Sequence, residues 1–564
     1  MEALDWLVIE VFFLALIGII VWVVRQKQND SADYFLGGRD ATWLAIGASI
    51  FASNIGSEHL IGLAGAGASS GMAMAHWEIQ GWMILILGWV FVPFYSRSMV
   101  YTMPEFLERR YNPQSRTILS VISLVSYVLT KVAVTVYAGG LVFQQVFGIK
   151  ELWGIDFFWI AAIGLVVLTA LYTIFGGMKS VLYTSVLQTP ILLLGSLIIL
   201  VLGFKELGGW DEMMRVCGAV TVNDYGDTMT NLIRSNDDAN FPWLGALIGS
   251  AIIGFWYWCT DQFIVQRVLS GKNEKEARRG TIFGAYLKLL PVFLFLIPGM
   301  IAFALHQKYI GAGGEGFLPM LANGTANADA AFPTLVAKLL PAGVKGLVVC
   351  GILAALMSSL ASLFNSSAML FTIDFYKRFR PETPEKKLVG IGQIATVVIV
   401  ILGILWIPIM RSVGDVLYTY LQDVQSVLAP GIAAAFLLGI CWKRTSAQGG
   451  MWGLIAGMII GLTRLGAKVY YSNAGEVADS TFKYLFYDMN WLFFCGWMFL
   501  FCIIVVIVVS LATEAPTAEK IQGLVFGTAT KEQKAATRAS WDHWDIIHTV
   551  IILAITGAFY WYFW

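Results

Sequence analysis

Charge is scarce in this chain of 564 residues: 13% are Asp, Glu, Lys or Arg, against 58% hydrophobic. Soluble domains carry charge on about a quarter of their residues, so an ordinary water-soluble fold is excluded. The charge that is present cancels, with 37 basic and 37 acidic residues, and a net charge of zero implies no nucleic-acid partner. Cysteine is sparse as well. Cys217, Cys259, Cys350, Cys441, Cys495 and Cys502 lie mostly inside apolar runs, with the spacing of neither a disulfide framework nor a metal site. The first apolar run, Leu4 to Val24, lacks the basic front of a cleavable signal and is read as a retained helix. No nucleophile–base pair or metal motif stands out, so neither an enzyme nor an organic cofactor is expected.

Apolar runs of about twenty residues fill the rest and make the chain an all-α polytopic membrane protein. The length rule places about fourteen transmembrane helices near residues 4–24, 42–71, 76–97, 116–146, 152–174, 179–203, 242–266, 277–306, 344–376, 388–410, 415–441, 450–469, 488–511 and 544–563. Loops on one side hold roughly 24 basic residues and those on the other roughly 10, which assigns the first set to the cytoplasm. Both termini then face outward. Two outer loops are long, 204–241 and 307–343, and the second carries the Asn323-Gly324-Thr325 sequon, read as a chance match. Pro104 to Tyr111 reads as a short interfacial helix that starts at proline.

The stretch TWLAIGASIFASNIGSEHLIGLAGAGASSG, Thr42 to Gly71, is long and apolar enough to span. Yet its middle reads Ala52-Ser53-Asn54-Ile55-Gly56-Ser57-Glu58-His59. A break there is tolerated only where protein buries it or where it lines a cavity. Helices broken at mid-membrane are where secondary transporters bind ions and solutes. A second interrupted stretch, Phe255 to Gln262, lies in the first long span after the 204–241 loop. A break at the start of each five-helix half is the mark of an inverted repeat.

Sodium takes oxygen ligands. Ala355, Ser358, Ser359 and Ser362 share one helical face in span 344–376, and that face could meet the carbonyls freed between Ala52 and Ile55. The alternative is that these small residues simply allow close helix packing. A sugar needs a ring of donors and acceptors and a flat aromatic surface. Asn54, His59, Glu78, Lys288 and Gln422 offer the first, and Tyr257 or Trp258 the second. Ionisable residues inside a membrane are functional candidates by default, and Glu78 and Lys288 could neutralise each other. Each candidate also has a plainer role open to it: packing for His59, Tyr257 and Trp258, a solvated rim for Glu78, snorkelling for Lys288. Arg464 is read as a snorkelling side chain. Lys131, at mid-span, must be paired or wet. Asp261 and Arg267 are expected to meet at an inner helix end.

At these residues the chain resembles the sodium/glucose cotransporter family of the sodium:solute symporters. The matching stretches are DYFLGGR from Asp33, GASIFASNIGSEHLIGLAGAGA, TMPEFLERRY, LYTIFGG, WYWCTDQFIVQR, YLKLLP, LMSSLASLFNSSAMLFTIDFY and FLLGICWKR, spread over nearly the whole length. The resemblance implies a leucine-transporter-type fold. An extra N-terminal helix and loop (1–41) would precede a first inverted repeat of five helices (42–203). An outer loop (204–241), a second five-helix repeat (242–441) and peripheral C-terminal helices (442–564) would follow. By position it puts a sodium site on the carbonyls of Ala52, Ile55 and Ala355 and the hydroxyls of Ser358 and Ser359. It puts sugar contacts on Asn54, His59, Glu78, Lys288 and Gln422, with Tyr257 as the inner stacking gate and Trp258 beside it.

There are departures from the family pattern. Ser185 stands where the family commonly has an aspartate that serves a second ion, which favours one sodium. The family's Glu-Trp pair is Glu78-Ile79 here, which leaves the identity of the sugar open. The large cysteine-rich outer loops of mammalian members are absent, which favours a bacterial inner membrane. The expectation is a sodium-coupled hexose symporter of the glucose or galactose type, working by alternating access. Its partners are sodium, the sugar and the lipid bilayer, with a monomer as the working assembly. The alternatives are another solute such as myo-inositol on the same fold, or a sugar sensor without coupled flux.

Overall fold

The structure is a computed structural model that describes residues 2–26, 30–56, 58–321, 324–412, 417–473 and 478–564. The sequon asparagine, Asn323, and the first residues of the expected 415–441 span lie outside them. The described residues are helical almost throughout, with one two-stranded hairpin among them that pairs Glu151–Leu152 with Ile155–Asp156. Among the described residues, 11 helices are long and apolar enough to cross a bilayer. Each of the fourteen expected positions carries helix, and three departures give the lower figure. The second half of 42–71 runs on into 76–97 as Glu58–Ser98, and 152–174 joins 179–203 as Phe157–Leu207. The 116–146 region supplies only a shorter apolar helix, Ala133–Gln144.

Gly177 explains the second fusion. It sits inside Phe157–Leu207 with φ 52° and ψ −148°, so two helices meet there across a kink. A side chain at Gly177 would place its Cβ 2.4 Å from the Tyr34 carbonyl. Only glycine combines that backbone with that approach. The expected interfacial helix is present as Met103–Arg110, with Thr102 accepting from the Glu105 amide at its start.

The Val344–Met369 helix is buried along nearly its whole length, whereas Ala3–Val24 and His543–Tyr562 expose most of their surface. The centre of the molecule is therefore Val344–Met369 and the helices packed on it, among them Trp43–Asn54 and Phe157–Leu207. The membrane-facing surface is apolar because lipid, like the core, rewards no polar group.

The broken helix is seated on one long partner. Its first half, Trp43–Asn54, packs on Glu274–Lys288, where a Cβ on Gly47 would fall 2.9 Å from the Gly280 carbonyl. Its second half, Ala64–Ser70, packs on Ile297–Gly311, where a Cβ on Gly299 would fall 2.0 Å from the Ala64 carbonyl. The partner is itself interrupted between these contacts by Leu289, Leu290 and Pro291 and by a wide π-helical turn at Val292–Leu296.

Candidate functional site

The first break comes where the residues allow it. Trp43–Asn54 stops at Ile55, whose φ of −79° and ψ of 105° are extended, and the helix resumes with a π-helical turn at Glu58–Leu63. Helix ends leave carbonyls without partners. Among the described residues no hydrogen bond reaches the carbonyls of Ala52 or Ile55. The Val344–Met369 helix lies against this end: the hydroxyls of Ser53 and Ser362 are 2.6 Å apart, and a Cβ on Gly56 would fall 3.0 Å from Ser359 Oγ. Ala355 lies one turn before Ser359, and Ala52, Ile55, Ala355, Ser358 and Ser359 are all buried. The five expected sodium ligands thus flank one buried junction that offers carbonyl and hydroxyl oxygens, with the Glu58 carboxylate at its border. That donor set suits a hard monovalent cation. Ser185 reaches the same junction, with its Oγ 3.3 Å from Ser358 Oγ.

Above the junction lies a cavity of about 60 Å³ whose walls include all seven expected solute contacts: Asn54, His59, Glu78, Tyr257, Trp258, Lys288 and Gln422. Lys288 Nζ donates to Glu78 Oε2 at 2.6 Å and to Asn54 Oδ1 at 3.2 Å. Asn54 Nδ2 donates to the Tyr257 hydroxyl at 3.2 Å. The Trp258 ring stands at 87° to Tyr257 with centroids 4.9 Å apart, and Lys288 Nζ lies 5.3 Å from the Trp258 centroid.

Other polar groups on the walls have no hydrogen-bond partner among the described residues. His59 Nε2 is 3.2 Å from Glu78 Oε2, close enough for an electrostatic contact. Even so, neither ring nitrogen has the geometry of a hydrogen bond. Gln422 Oε1 is likewise buried and unpaired. Leaving such groups buried and unmatched costs about 1–3 kcal/mol each, a deficit that a hydroxyl-bearing ligand or water would remove.

Two sequence expectations are corrected, for Arg464 and Asp261, and the plainer role left open for Glu78 is removed. Glu78 is 2% exposed, so it is no solvated rim residue. Arg464 is buried rather than snorkelling: it donates to the carbonyls of Leu485 and Met489, and its guanidinium lies 4.0 Å from the Phe494 ring centroid. Asp261 takes Lys131 as its ion-pair partner, at 2.7 Å, in place of Arg267. That contact also answers how the mid-span Lys131 is neutralised.

Sequence reading missed that Glu58, Gln80, Lys131 and Gln425 line the same cavity. For Glu58 the signal was present. It is an ionisable residue beside His59 in the middle of a span, the kind of position that marks function.

The sequence matches the Sodium:solute symporter family over residues 34–457. It is 37% identical over 542 residues to the sodium/myo-inositol cotransporter 2 of Mus musculus, covering 94% of this chain and 80% of the relative. It is 35% identical over 560 residues to the sodium/glucose cotransporter 4 of Danio rerio, covering 96% and 84%. Among solved structures, a Na+-coupled sialic acid symporter in a substrate-bound, outward-open state superposes with a TM-score of 0.72 at 22% identity, covering 92% of this chain and 99% of that one.

Proposed function

Because this chain belongs to the sodium:solute symporter family, it is a multi-pass sodium-coupled transporter and not an enzyme, and we propose that its solute is a small neutral polyhydroxyl ring, first of all a hexose. Its fold is of the leucine-transporter type, shared with the sialic acid symporter. The observation that carries the solute reading is the lining of the cavity, whose volume of about 60 Å³ must widen to admit a ring. A linked Glu78–Lys288–Asn54–Tyr257 chain lies beside unpaired atoms of His59 and Gln422. Donors and acceptors on several walls, with an aromatic pair on one, suit a ring that carries hydroxyls around its edge. The net charge of the Glu78–Lys288 pair is zero, which favours an uncharged solute.

Sodium is assigned to Ala52, Ile55, Ala355, Ser358 and Ser359. Bound there, it holds Trp43–Asn54 against Val344–Met369 and favours an outward-open arrangement in which the solute site is complete. A ligand shifts such an equilibrium only by its difference in affinity for the two states. Solute then draws Ala64–Ser70 onto Ile297–Gly311, Tyr257 moves aside, and both ligands leave inward. Residues 42–203 and 242–441 serve as the two inverted repeats, each opening on an interrupted helix, at Ile55 and at Asp261. The excess of Lys and Arg on one set of loops supports cytoplasmic placement of those loops, with both termini outside.

Myo-inositol is the second reading, favoured by the relatives named sodium/myo-inositol cotransporter. Purified protein in proteoliposomes separates the cases. Labelled glucose, galactose or myo-inositol should accumulate above the outside concentration under an inward sodium gradient and not with potassium. Competition among the three then ranks them. Sodium-independent equilibration would remove the ion site, and sodium-dependent binding with no flux would make the protein a sensor.

A further inference from the structure

We infer that Asp261 is an exchangeable counter-ion of the inner gate: here it holds Lys131 against Tyr257, and it passes to Arg267 when the inner side opens. The inference rests on the reading of Tyr257 as the inner stacking residue.

Asp261 lies at the second interruption, between the π-helical turn Phe255–Thr260 and the helix Gln262–Leu269. Its φ of −76° and ψ of 127° are extended, and its carboxylate accepts from the Phe263 amide at 3.3 Å. The same carboxylate accepts from Lys131 Nζ at 2.7 Å and from the Tyr127 hydroxyl. Lys131 Nζ sits 4.7 Å from the Tyr257 ring centroid and 4.8 Å from that of Phe263. Arg267 reaches the same Phe263 ring, with its Cζ 5.1 Å from the centroid. One carboxylate therefore lies between two cations that share one aromatic ring.

The two cations are not equally served. Arg267 is fully buried and donates from Nη1 to the Phe263 carbonyl, yet its Nε and Nη2 have no hydrogen-bond partner among the described residues. A fully buried guanidinium with unused donors is an unfavourable arrangement. An acidic group is in deficit too. Glu58 lines the cavity that Lys131 also lines, and no ion pair reaches it among the described residues. One rearrangement repairs both deficits. If Asp261 turns to Arg267, Lys131 is released to Glu58, and Glu78–Lys288 is untouched. A hinge for this already exists, because an extended residue between two helical segments is the kind of position that absorbs a change of φ and ψ.

Glu58 ties the exchange to sodium. A Cβ on Gly56 would lie 2.7 Å from Glu58 Oε2 and 3.0 Å from Ser359 Oγ, so the carboxylate borders the junction assigned to the ion. While sodium is present, its charge compensates Glu58 and Lys131 stays on Asp261. When sodium leaves, Glu58 takes Lys131, the ammonium quits the face of Tyr257, and the ring is free to move. Lys131, Asp261 and Arg267 are thus positioning residues for Tyr257.

The test is made in proteoliposomes, with sodium-dependent solute binding and concentrative uptake read on the same preparations. Arg267→Gln should bind solute as the wild type does and lose about tenfold or more in uptake, the scale of a typical coupling between sites. The double variant Lys131→Met/Asp261→Asn should recover the folding and binding that either single change harms, since removing both partners of a buried pair is often tolerated. Its uptake should stay low. A merely structural pair predicts that uptake recovers together with binding, and that result would overturn the exchange. A structure of the wild-type protein locked inward-open by a conformation-selective nanobody needs no variant. Asp261 at hydrogen-bonding distance from Arg267 is expected, and Lys131 still on Asp261 overturns the inference. Absence of sodium-driven accumulation by the wild type would instead bring down the functional reading, and this inference with it.

Discussion

Lys288 Nζ and Glu78 Oε2 stand 2.6 Å apart with side chains 4% and 2% exposed, an ion pair wholly enclosed by protein. Breaking such a pair from one side costs about 3–5 kcal/mol, because the remaining charge is stranded. Glu78→Gln should therefore lower the melting temperature of the purified protein and abolish solute binding. Glu78→Gln combined with Lys288→Met should restore most of the melting temperature and none of the binding. Recovery of both would mean that the pair only supports the fold.

Ser359 and Gln422 lie on different parts of the site, and their variants should separate. Loss of a hydroxyl that serves a cation is worth about 1.5–3 kcal/mol, so Ser359→Ala should raise the half-saturating sodium concentration about tenfold or more while the ranking among sugars holds. Gln422→Ala should weaken solute binding and alter that ranking with little change in sodium dependence. Equal shifts of the sodium requirement in both variants would contradict the separation of the two sites.

Ser185 meets Ser358 through neutral hydroxyls only, which argues for a single co-transported ion. One charge moving inward across about 100 mV supplies roughly 2.3 kcal/mol, and a tenfold sodium gradient about 1.4 kcal/mol more. One ion thus sustains roughly 500-fold accumulation. The ratio of charge to solute flux under voltage clamp should be near one, and a ratio near two would refute it.

The second half of the broken helix, Ala64–Ser70, meets the end of the π-helical turn and Ile297–Gly311 backbone to backbone. A Cβ at Gly67 would fall 2.2 Å from the Leu296 carbonyl, and one at Gly299 2.0 Å from the Ala64 carbonyl. Overpacking of this kind costs about 1–3 kcal/mol. Gly67→Ala and Gly299→Ala should prop the outer side open, slowing uptake about tenfold while solute binding from outside persists. Uptake at the wild-type rate would show that this contact does not form in the cycle.

Asp329, in the turn Ala328–Ala330, has a buried Oδ1 with no hydrogen-bond partner among the described residues, and it would lie 2.4 Å from a Cβ on Gly65. Burial pushes its carboxyl up from 3.8 to about 6. The packed arrangement binds this proton more tightly than the unfolded chain does, so its contribution to stability is complete below 3.8 and is lost as pH rises through about 6. The melting temperature should fall by a few degrees across that interval, and Asp329→Asn should flatten the profile there. An unchanged profile would remove the carboxylate from this contact.

The parts of the site written into local composition were legible in the sequence. Small polar residues from Ala52 to Ser57 announce a break because an apolar span has no other use for them, and the extended Ile55 lies within that stretch. Ionisable residues in apolar runs likewise pointed to Glu78 and Lys288. Pairing across the fold was not legible. Nothing near Lys131 in the chain indicates that its partner is Asp261, 130 residues away, and Arg464 looked like a side chain reaching for water until the chain around Leu485 and Met489 closed over it. The boundary at Gly177 was legible, with Lys179 just beyond it, but the tightness of the kink was not, because it depends on the approach of the Tyr34 carbonyl.

The broken helix and its long partner touch through glycines both below and above their interruptions, at Gly47 with Gly280 and at Gly67 with Gly299. Two rods meshed at both ends behave like geared shafts: neither can turn its upper section independently of the other. An extra residue in either interruption would turn the section beyond it by about 100°, so the teeth would no longer meet. Lengths of 42–71 and 274–311 are therefore locked to one another even where their side chains are free to vary, and a single-residue insertion there would uncouple the machine while leaving each rod intact.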